Sequence, residues 1–421
     1  MSPRTVWIIN PYGTLPLESW ATYRSTMLAD SLVQHGYEVR QFISNFEHRG
    51  KTFRTATDDL TAVSEGYHIH IIPSTAYESH VSFRRIAYER TFARNLLQAA
   101  RGLPPPGFIV LAEPALFYYD ILLEPLLRRR GTLLILDIID IWPELFELVL
   151  PRFLGALSRI LLGPLYWWRA RLYKHADAIV AVARDYLDSA RRMAVRPDAL
   201  FEVVYWSYDI DREDSSPPTG VVRDLVDRKA RDEVWAVYAG TLGENYDIAS
   251  LLDVARRLPR DLQDTVRVRF IIAGDGPMKD LCRHSASDSL VFAGRLRAPE
   301  MKLLYSHADI GLCTYKGQST VAMPIKAFDC LRYGLPIVNS LGRDLGELVR
   351  VHELGINYDP YTADGLYRAV ERLASDAALR DRCATNARKI APEFSSRAQY
   401  PKFAALLNRL SQVRAPADAS D

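Results

Sequence analysis

Alternation constrains this chain more than any other feature. Short apolar runs of strand length are followed by stretches with helical period, and the pattern repeats along most of the sequence. "VWII" reads as a strand. In the helical stretch after it, Met27, Leu28, Leu32 and Val33 share one side and Gly36 supplies the stop. "YEVRQFIS", "IHIIP", "GFIVLAEP", "TLLILDIID" and "ADAIVAVA" read as further strands. Among them lie a long helical stretch from about Ser82 to Leu97 and the helix "YDILLEPLLRRRG". Strands that alternate with helices form a parallel sheet covered on both faces.

The pattern lapses between Tyr208 and Glu233, where "DREDSSPPTG" is polar and turn-rich. It then restarts, with "EVWAVYAG", "VRVRFIIAGDGP", "LVFAG", "ADIGLCTY" and "LPIVNS" as strands between helices. A chain of 421 residues is too long for one ordinary core. The expected fold class is therefore α/β, with two Rossmann-like doubly wound domains facing across a cleft. Ligands bind such sheets at the carboxyl ends of the strands. The expected domains are 1–207, 208–390 and a closing segment, 391–421. In that segment "SSRAQYPKFAALLNRLS" is a capped amphipathic helix expected to cross back to the first domain, and "APADAS" a frayed tail.

Composition narrows the function classes. Hydrophobic residues make up 48% and charged residues 25%, as in a globular protein, and the net charge of +2 gives no basic field for nucleic acid. Cys282, Cys313, Cys330 and Cys383 show no metal-ligand spacing, so neither a disulfide framework nor structural zinc is expected. The start shows no signal peptide, and no uncharged apolar run reaches the roughly 20 residues that span a bilayer, so a cytoplasmic protein is the expectation.

Four loops in the second half follow strands. "YAGTLGENYDI" brings Gly240, Thr241, Leu242 and Gly243, and its small residues let backbone N–H groups approach an anion. "IIAGDGPMKDL" brings Gly274, Asp275 and Gly276, where a plain turn competes with ligand contact. "VFAGRLRAPEM" brings Arg295, a candidate for a nucleotide base or for solvent. The fourth is "MPIKAFDCLRYGLPIV", preceded by "TYKGQST". Pro324 suits a first helical position and Gly334 the residue past the helix end. Lys326 then lies in the first turn, where the helix dipole disfavours a cation. A lysine beside oriented N–H donors makes a diphosphate site, and Asp329 one turn on can accept from a pair of ribose hydroxyls. The competing interpretation is an intrahelical Lys–Asp pair worth a few tenths of a kcal/mol. Thr320, Met323 and Pro324, which lead into the helix, are counted with this donor site.

The ordered set "YAGTLG…YDI", "IIAGDGP", "VFAGR…PEM…LY…ADIGLC", "MPIKAFDCLRYGLPIV" and "GELV…LG" resembles the C-terminal domain of the family 4 glycosyltransferases. "MPIKAFDCL" and the opening "WIINPY" resemble the bacterial surface-polysaccharide branch. The resemblance runs roughly from Val6 to Asn408 and is stronger in the second domain. It implies a retaining enzyme of the two-Rossmann architecture that uses a nucleotide diphosphate sugar. Asp329 then falls on the second acid of the family's E-x7-E motif, which holds the donor ribose. The first acid falls on Val321 and is missing. The basic residues usual in the first glycine loop are absent from "GTLGENY", which implies that Lys326 takes over diphosphate neutralisation. No Asp-x-Asp motif ends a strand of the donor half, so no essential metal or other cofactor is expected.

In the first half, "LDIIDIWPELF" resembles a "D-x-x-D-x-W-P-E" stretch of the same branch. Asp140 is a candidate for orienting an acceptor hydroxyl or binding the donor sugar, with a helix N-cap as the competing role. Asn10, Tyr12, Gly13, Trp142 and Glu144 are counted with the acceptor site, and Arg24 as a contact for an acceptor phosphate or a solvated surface arginine. Residues 153–174 mix leucines, two tryptophans, Arg159, Arg169, Arg171 and Lys174. They fit either peripheral membrane contact, at the inner face, or helices packed on the domain core, with the core interpretation taken for Leu161 to Trp168. The expected partners are a nucleotide sugar and a saccharide or lipid-linked acceptor. The expected activity is hexosyl transfer in surface-polysaccharide synthesis. Two alternatives stay open: a sugar-nucleotide epimerase or hydrolase, with His307 and His352 as candidate acid–base groups, and an inactive homologue that binds partners.

Overall fold

The computed structural model describes residues 4–15, 18, 23–54, 60–79, 82–127, 131–149, 157–193, 196–209 and 216–413. The chain forms two units, Met1–Trp206 with Arg397–Asp421, and Ser207–Ser396.

In the first unit the strands are β1 (Thr5–Ile9), β2 (Glu38–Ser44), β3 (Phe46–Glu47), β4 (Thr52–Phe53), β5 (Leu60–Ser64), β6 (Tyr67–Ile72), β7 (Phe108–Glu113), β8 (Leu133–Ile138), β9 (Ala178–Ala181) and β10 (Leu200–Val203). Among the described residues, eight of them form one sheet in the order β10-β9-β8-β7-β1-β2-β6-β5, and β3 pairs with β4. All neighbours in that sheet are parallel except β5 and β6. β1, β7 and β8 are buried at every position, which is why they read as mostly apolar runs, with Asp137 the charged residue inside β8. Helix Phe83–Ala100 is capped by Ser82, whose side chain accepts from the Arg85 N–H. The final helix, Ser396–Val413, places Tyr400, Phe403, Leu406, Leu407 and Leu410 in this unit's core with Val6, Ile8 and Leu28.

The second unit holds β11 (Glu233–Ala239), β12 (Arg267–Ala273), β13 (Leu290–Gly294), β14 (Ile310–Cys313), β15 (Ile337–Asn339) and β16 (Gly355–Asn357). Their order is β13-β12-β11-β14-β15-β16, with every neighbouring pair parallel. Both sheets are thus doubly wound. The direction of winding reverses between β1 and β7 in the first and between β11 and β14 in the second, and such switch points open a crevice at the strand ends.

Several sequence expectations shift. β3, β4, β5, β10 and β16 had no counterpart among the strands expected from the sequence. The interrupted stretch after Tyr208 contains a helix, Val221–Asp227, while residues 210–215 of it lie outside the described residues, as does the tail from 414. The segment 157–174 forms two helices, Leu157–Leu161 and Gly163–His175. The core interpretation fails for part of it, because Leu161 and Trp167 are 58% exposed and Ile160 is 72% exposed. Residues 153–156 lie outside the described residues. No helix among the described residues is long and apolar enough to cross a membrane.

Candidate functional site

The second unit gathers its chemistry around its switch point. Helix Ile325–Tyr333 follows β14 with Pro324 as its N-cap, so it starts one residue later than expected, and Gly334 closes it in the left-handed conformation at φ 65°. Lys326 is therefore the second helical residue. Its side chain turns away from Asp329 toward the loop after β11. Nζ lies 3.8 Å from the centre of the Tyr238 ring, 4.6 Å from Tyr246 and 5.1 Å from Tyr315. Lys326 is 8% exposed, and its ammonium has no hydrogen-bond partner among the described residues. The intrahelical ion pair is thus not what holds this lysine. Burial pushes its pKa down to about 8. Three tyrosine faces attract the cation, and among the described residues no acceptor bonds it.

Gly240 makes the approach possible, because a Cβ there would stand 3.1 Å from Lys326 Nζ. Around it the glycine loops lock together. The Gly240 N–H donates to Ala273 O at 3.0 Å, and Leu242 donates to Asp275 O at 2.9 Å. A Cβ on Gly274 would fall 1.9 Å from the Gly240 carbonyl oxygen, and one on Gly276 2.6 Å from that of Leu242. This corrects the donor role expected of Leu242. Gly274 is required for loop-to-loop packing. Leu242 has its side chain in the core, and its carbonyl accepts from Met278 N. The donors left for an anion are the Thr241 and Gly243 N–H groups, which have no partner among the described residues, and the N–H groups of Ile325 and Lys326. Those two precede the first bond of the helix, Ala327 N to Pro324 O.

Asp329 is partly buried, and burial raises its carboxyl to about 7 against the opposing pull of Arg332 and Lys326. Asp275 and Arg295 are exposed at the ends of β12 and β13, Asp275 accepting from Gly276 N. Met323 is buried, and Thr320 is half-buried in the loop before it. His307 ends helix Ala298–His307 with Nδ1 on Leu303 O, and His352 caps helix Asp344–Val351, so neither joins this cluster.

The first unit holds a separate cavity of about 360 Å³ at its own switch point. Asn10 and Tyr12 follow β1, Glu113 ends β7, and Asp140 and Trp142 follow β8, while Arg85 comes from helix Phe83–Ala100. Tyr23, Phe146 and Trp206 add aromatic walls. The Arg85 guanidinium sits 4.6 Å from the Trp142 ring centre and 3.3 Å from Glu89, and it donates to the Tyr12 hydroxyl at 3.1 Å. That hydroxyl in turn donates to Glu89. Burial raises Glu113 and Glu89 to about 7 and Asp140 to about 6. Asp140 Oδ1 accepts from the adjacent Ile141 N–H while lining the cavity, so it serves the turn and the pocket together.

Three acceptor-site expectations need correction. Arg24 is fully buried and clamps Asp137 with two bonds of 2.8 and 2.7 Å, while donating to Val204 O at 2.7 Å. It is a core ion pair rather than a phosphate contact. Glu144 accepts from both Arg169 terminal nitrogens at 2.6 and 2.7 Å, and Arg169 also holds the Trp142 carbonyl, so the pair braces the loop instead of lining the cavity. Gly13 faces β2, where a Cβ would meet Ile43 at 2.6 Å. Sequence reasoning missed Arg85, Glu89 and Glu113. Of these, only Glu113 carried a signal, as an acid at a strand end.

Residues 233–376 match the family model described as Glycosyl transferases group 1. An uncharacterized glycosyltransferase of Methanocaldococcus jannaschii is 28% identical over 165 residues, which are 38% of this chain. The chain thus spans 40% of the length of that curated relative. Sucrose-phosphate synthase from Thermosynechococcus elongatus superposes with a TM-score of 0.74 at 13% identity, over 97% of this chain and 99% of that one. Anabaena HepE in complex with UDP-glucose gives 0.65 at 14% identity, over 96% and 99%. The chain therefore has the two-Rossmann fold of these glycosyltransferase structures, and its second unit carries the sequence similarity.

Proposed function

We propose that this protein is a retaining glycosyltransferase that moves a hexose-type sugar from a nucleotide diphosphate donor to a saccharide or lipid-linked saccharide acceptor in surface-polysaccharide synthesis. The carrying observation is Lys326, a buried ammonium without an acceptor, set at a helix N-terminus beside unbonded loop N–H groups. As the glycosidic bond breaks, the leaving diphosphate gains negative charge, and this cluster supplies preorganised stabilisation. The work is assigned to Lys326 and the N–H groups rather than to a metal. Asp329 takes the ribose hydroxyls. The acceptor hydroxyl attacks the face from which the diphosphate departs, and a leaving phosphate oxygen takes its proton. The UDP-glucose held by HepE and the group 1 match of residues 233–376 support a nucleotide-sugar donor.

Calorimetric titration with UDP, GDP and ADP tests the donor site. Saturable binding of one of them is expected. No binding by any would favour the partner-binding homologue, which the missing acid at Val321 already suggests. Peripheral membrane contact through Leu157, Ile160, Leu161 and Trp167, beside Arg171, belongs to the same proposal. Flotation with anionic vesicles should recover the parent protein and lose an Ile160→Glu, Trp167→Glu variant. Equal recovery of both would remove the membrane part.

A further inference from the structure

Among the described residues, two buried polar atoms that line the first-unit cavity lack hydrogen-bond partners. Glu113 is 3% exposed, with one carboxylate oxygen fixed by the Ala115 N–H at 3.2 Å and the other, Oε1, unbonded. Asn10 is equally buried. Its Oδ1 accepts from Tyr12 N at 3.0 Å, which leaves Nδ2 as a donor that lies near the Tyr23 hydroxyl without completing a bond. Asn10 follows β1 and Glu113 ends β7, adjacent strands whose paired positions include Ile9 and Leu111. Buried groups left this way cost free energy unless a ligand satisfies them.

An unpaired donor and an unpaired acceptor together call for a group that both accepts and donates, and a hydroxyl does so. The walls suit a sugar ring, since Tyr23, Trp142 and Trp206 offer apolar faces to its C–H groups. Charge argues against an anionic ligand. Arg85 is already paired with Glu89, Arg49 stacks over Tyr23 at 5.5 Å, and Glu113 and Asp140 would face any incoming negative group.

We propose that this cavity binds a neutral pyranose of the acceptor and that Asn10 and Glu113 clamp one of its hydroxyls, Asn10 Nδ2 donating to the oxygen and Glu113 Oε1 accepting the proton. Naming that sugar the acceptor rests on the transferase reading. The clamp makes Glu113 a positioning residue.

The test uses the full chain and a panel of methyl pyranosides of glucose, galactose, mannose and N-acetylglucosamine, followed by tryptophan fluorescence and saturation-transfer NMR. At least one glycoside should bind saturably, and more tightly than glucuronic acid or glucose 6-phosphate. Glu113→Gln should weaken it about fivefold or more, because the amide must present N–H groups where an acceptor is needed. UDP affinity should stay unchanged in that variant. The clamp is overturned by tighter binding of the charged sugars, by unchanged glycoside affinity in Glu113→Gln, or by UDP binding with no glycoside binding at all. If Glu113→Gln does not fold, the neutral-against-charged ranking in the parent still decides. Glycoside binding without nucleotide binding would instead refute the transferase reading and leave the clamp standing.

Discussion

Replacing Lys326 with methionine separates binding from folding in a way few substitutions can. A hydrogen bond to a charged group is worth about 1.5–3 kcal/mol, so losing the ammonium should weaken UDP binding by about 10- to 150-fold. Stability should move the other way. Burial lowers the lysine pKa from 10.5 to about 8, a shift equivalent to about 3 kcal/mol. The unfolded chain holds that proton more tightly, so the penalty is fully present below pH 8 and disappears as the pH rises toward 10.5. The tyrosine faces offset part of it. Lys326→Met should therefore melt no lower than the parent at pH 7. The parent's affinity for UDP should also fall as the pH rises through 8, when the ammonium is lost, and the variant should show no such step. Calorimetry across pH with parallel thermal melts measures all three. Undiminished UDP affinity in the variant, or a melting point well below the parent's, would refute the reasoning.

Other perturbations follow from the same geometry. Gly274→Ala places a methyl 1.9 Å from a backbone oxygen at φ 150°, and urea unfolding should show a loss of over about 2 kcal/mol in the second unit. Arg24→Ala strands the Asp137 carboxylate and should destabilise the first unit by about 3–5 kcal/mol while leaving UDP affinity unchanged. An accessible acceptor-contacting arginine would instead cost activity without stability. The parent should prefer UDP to 2′-deoxy-UDP by about tenfold, one charged hydrogen bond, and Asp329→Asn should lose most of that preference in the same titration.

The parts legible in the sequence share a physical cause. β1, β7, β8 and β11 are buried on both faces, so each is largely apolar, with Asp137 the charged exception inside β8. The unread strands β3, β4, β5, β10 and β16 are all sheet edges, β3 and β4 as a two-residue pair, and β10 and β16 are only partly buried. Helix Ile325–Tyr333 was legible because proline and glycine bound it. What holds Lys326 was not, because Tyr238, Tyr246 and Tyr315 come from three separate segments and meet only in the fold. Arg24 shows the reverse error. Its charge suggested solvent or ligand, whereas its partner Asp137 lies 113 residues away on β8. The Arg85–Tyr12–Glu89 cluster was hidden for the same reason. Local pattern fixes which face of an element is apolar, and it carries no record of which polar groups converge from distant strand ends.

Sugar transfer itself is the most direct measurement. Parent protein and Lys326→Met would each be incubated with UDP-, GDP- and ADP-sugars and a membrane-lipid or saccharide acceptor, with products followed by mass spectrometry and anomeric proton NMR. The expected result is a glycosylated acceptor with the donor's anomeric configuration retained, formed by the parent and strongly reduced in the variant. No transfer from any donor, an inverted product, or equal turnover by Lys326→Met would contradict it.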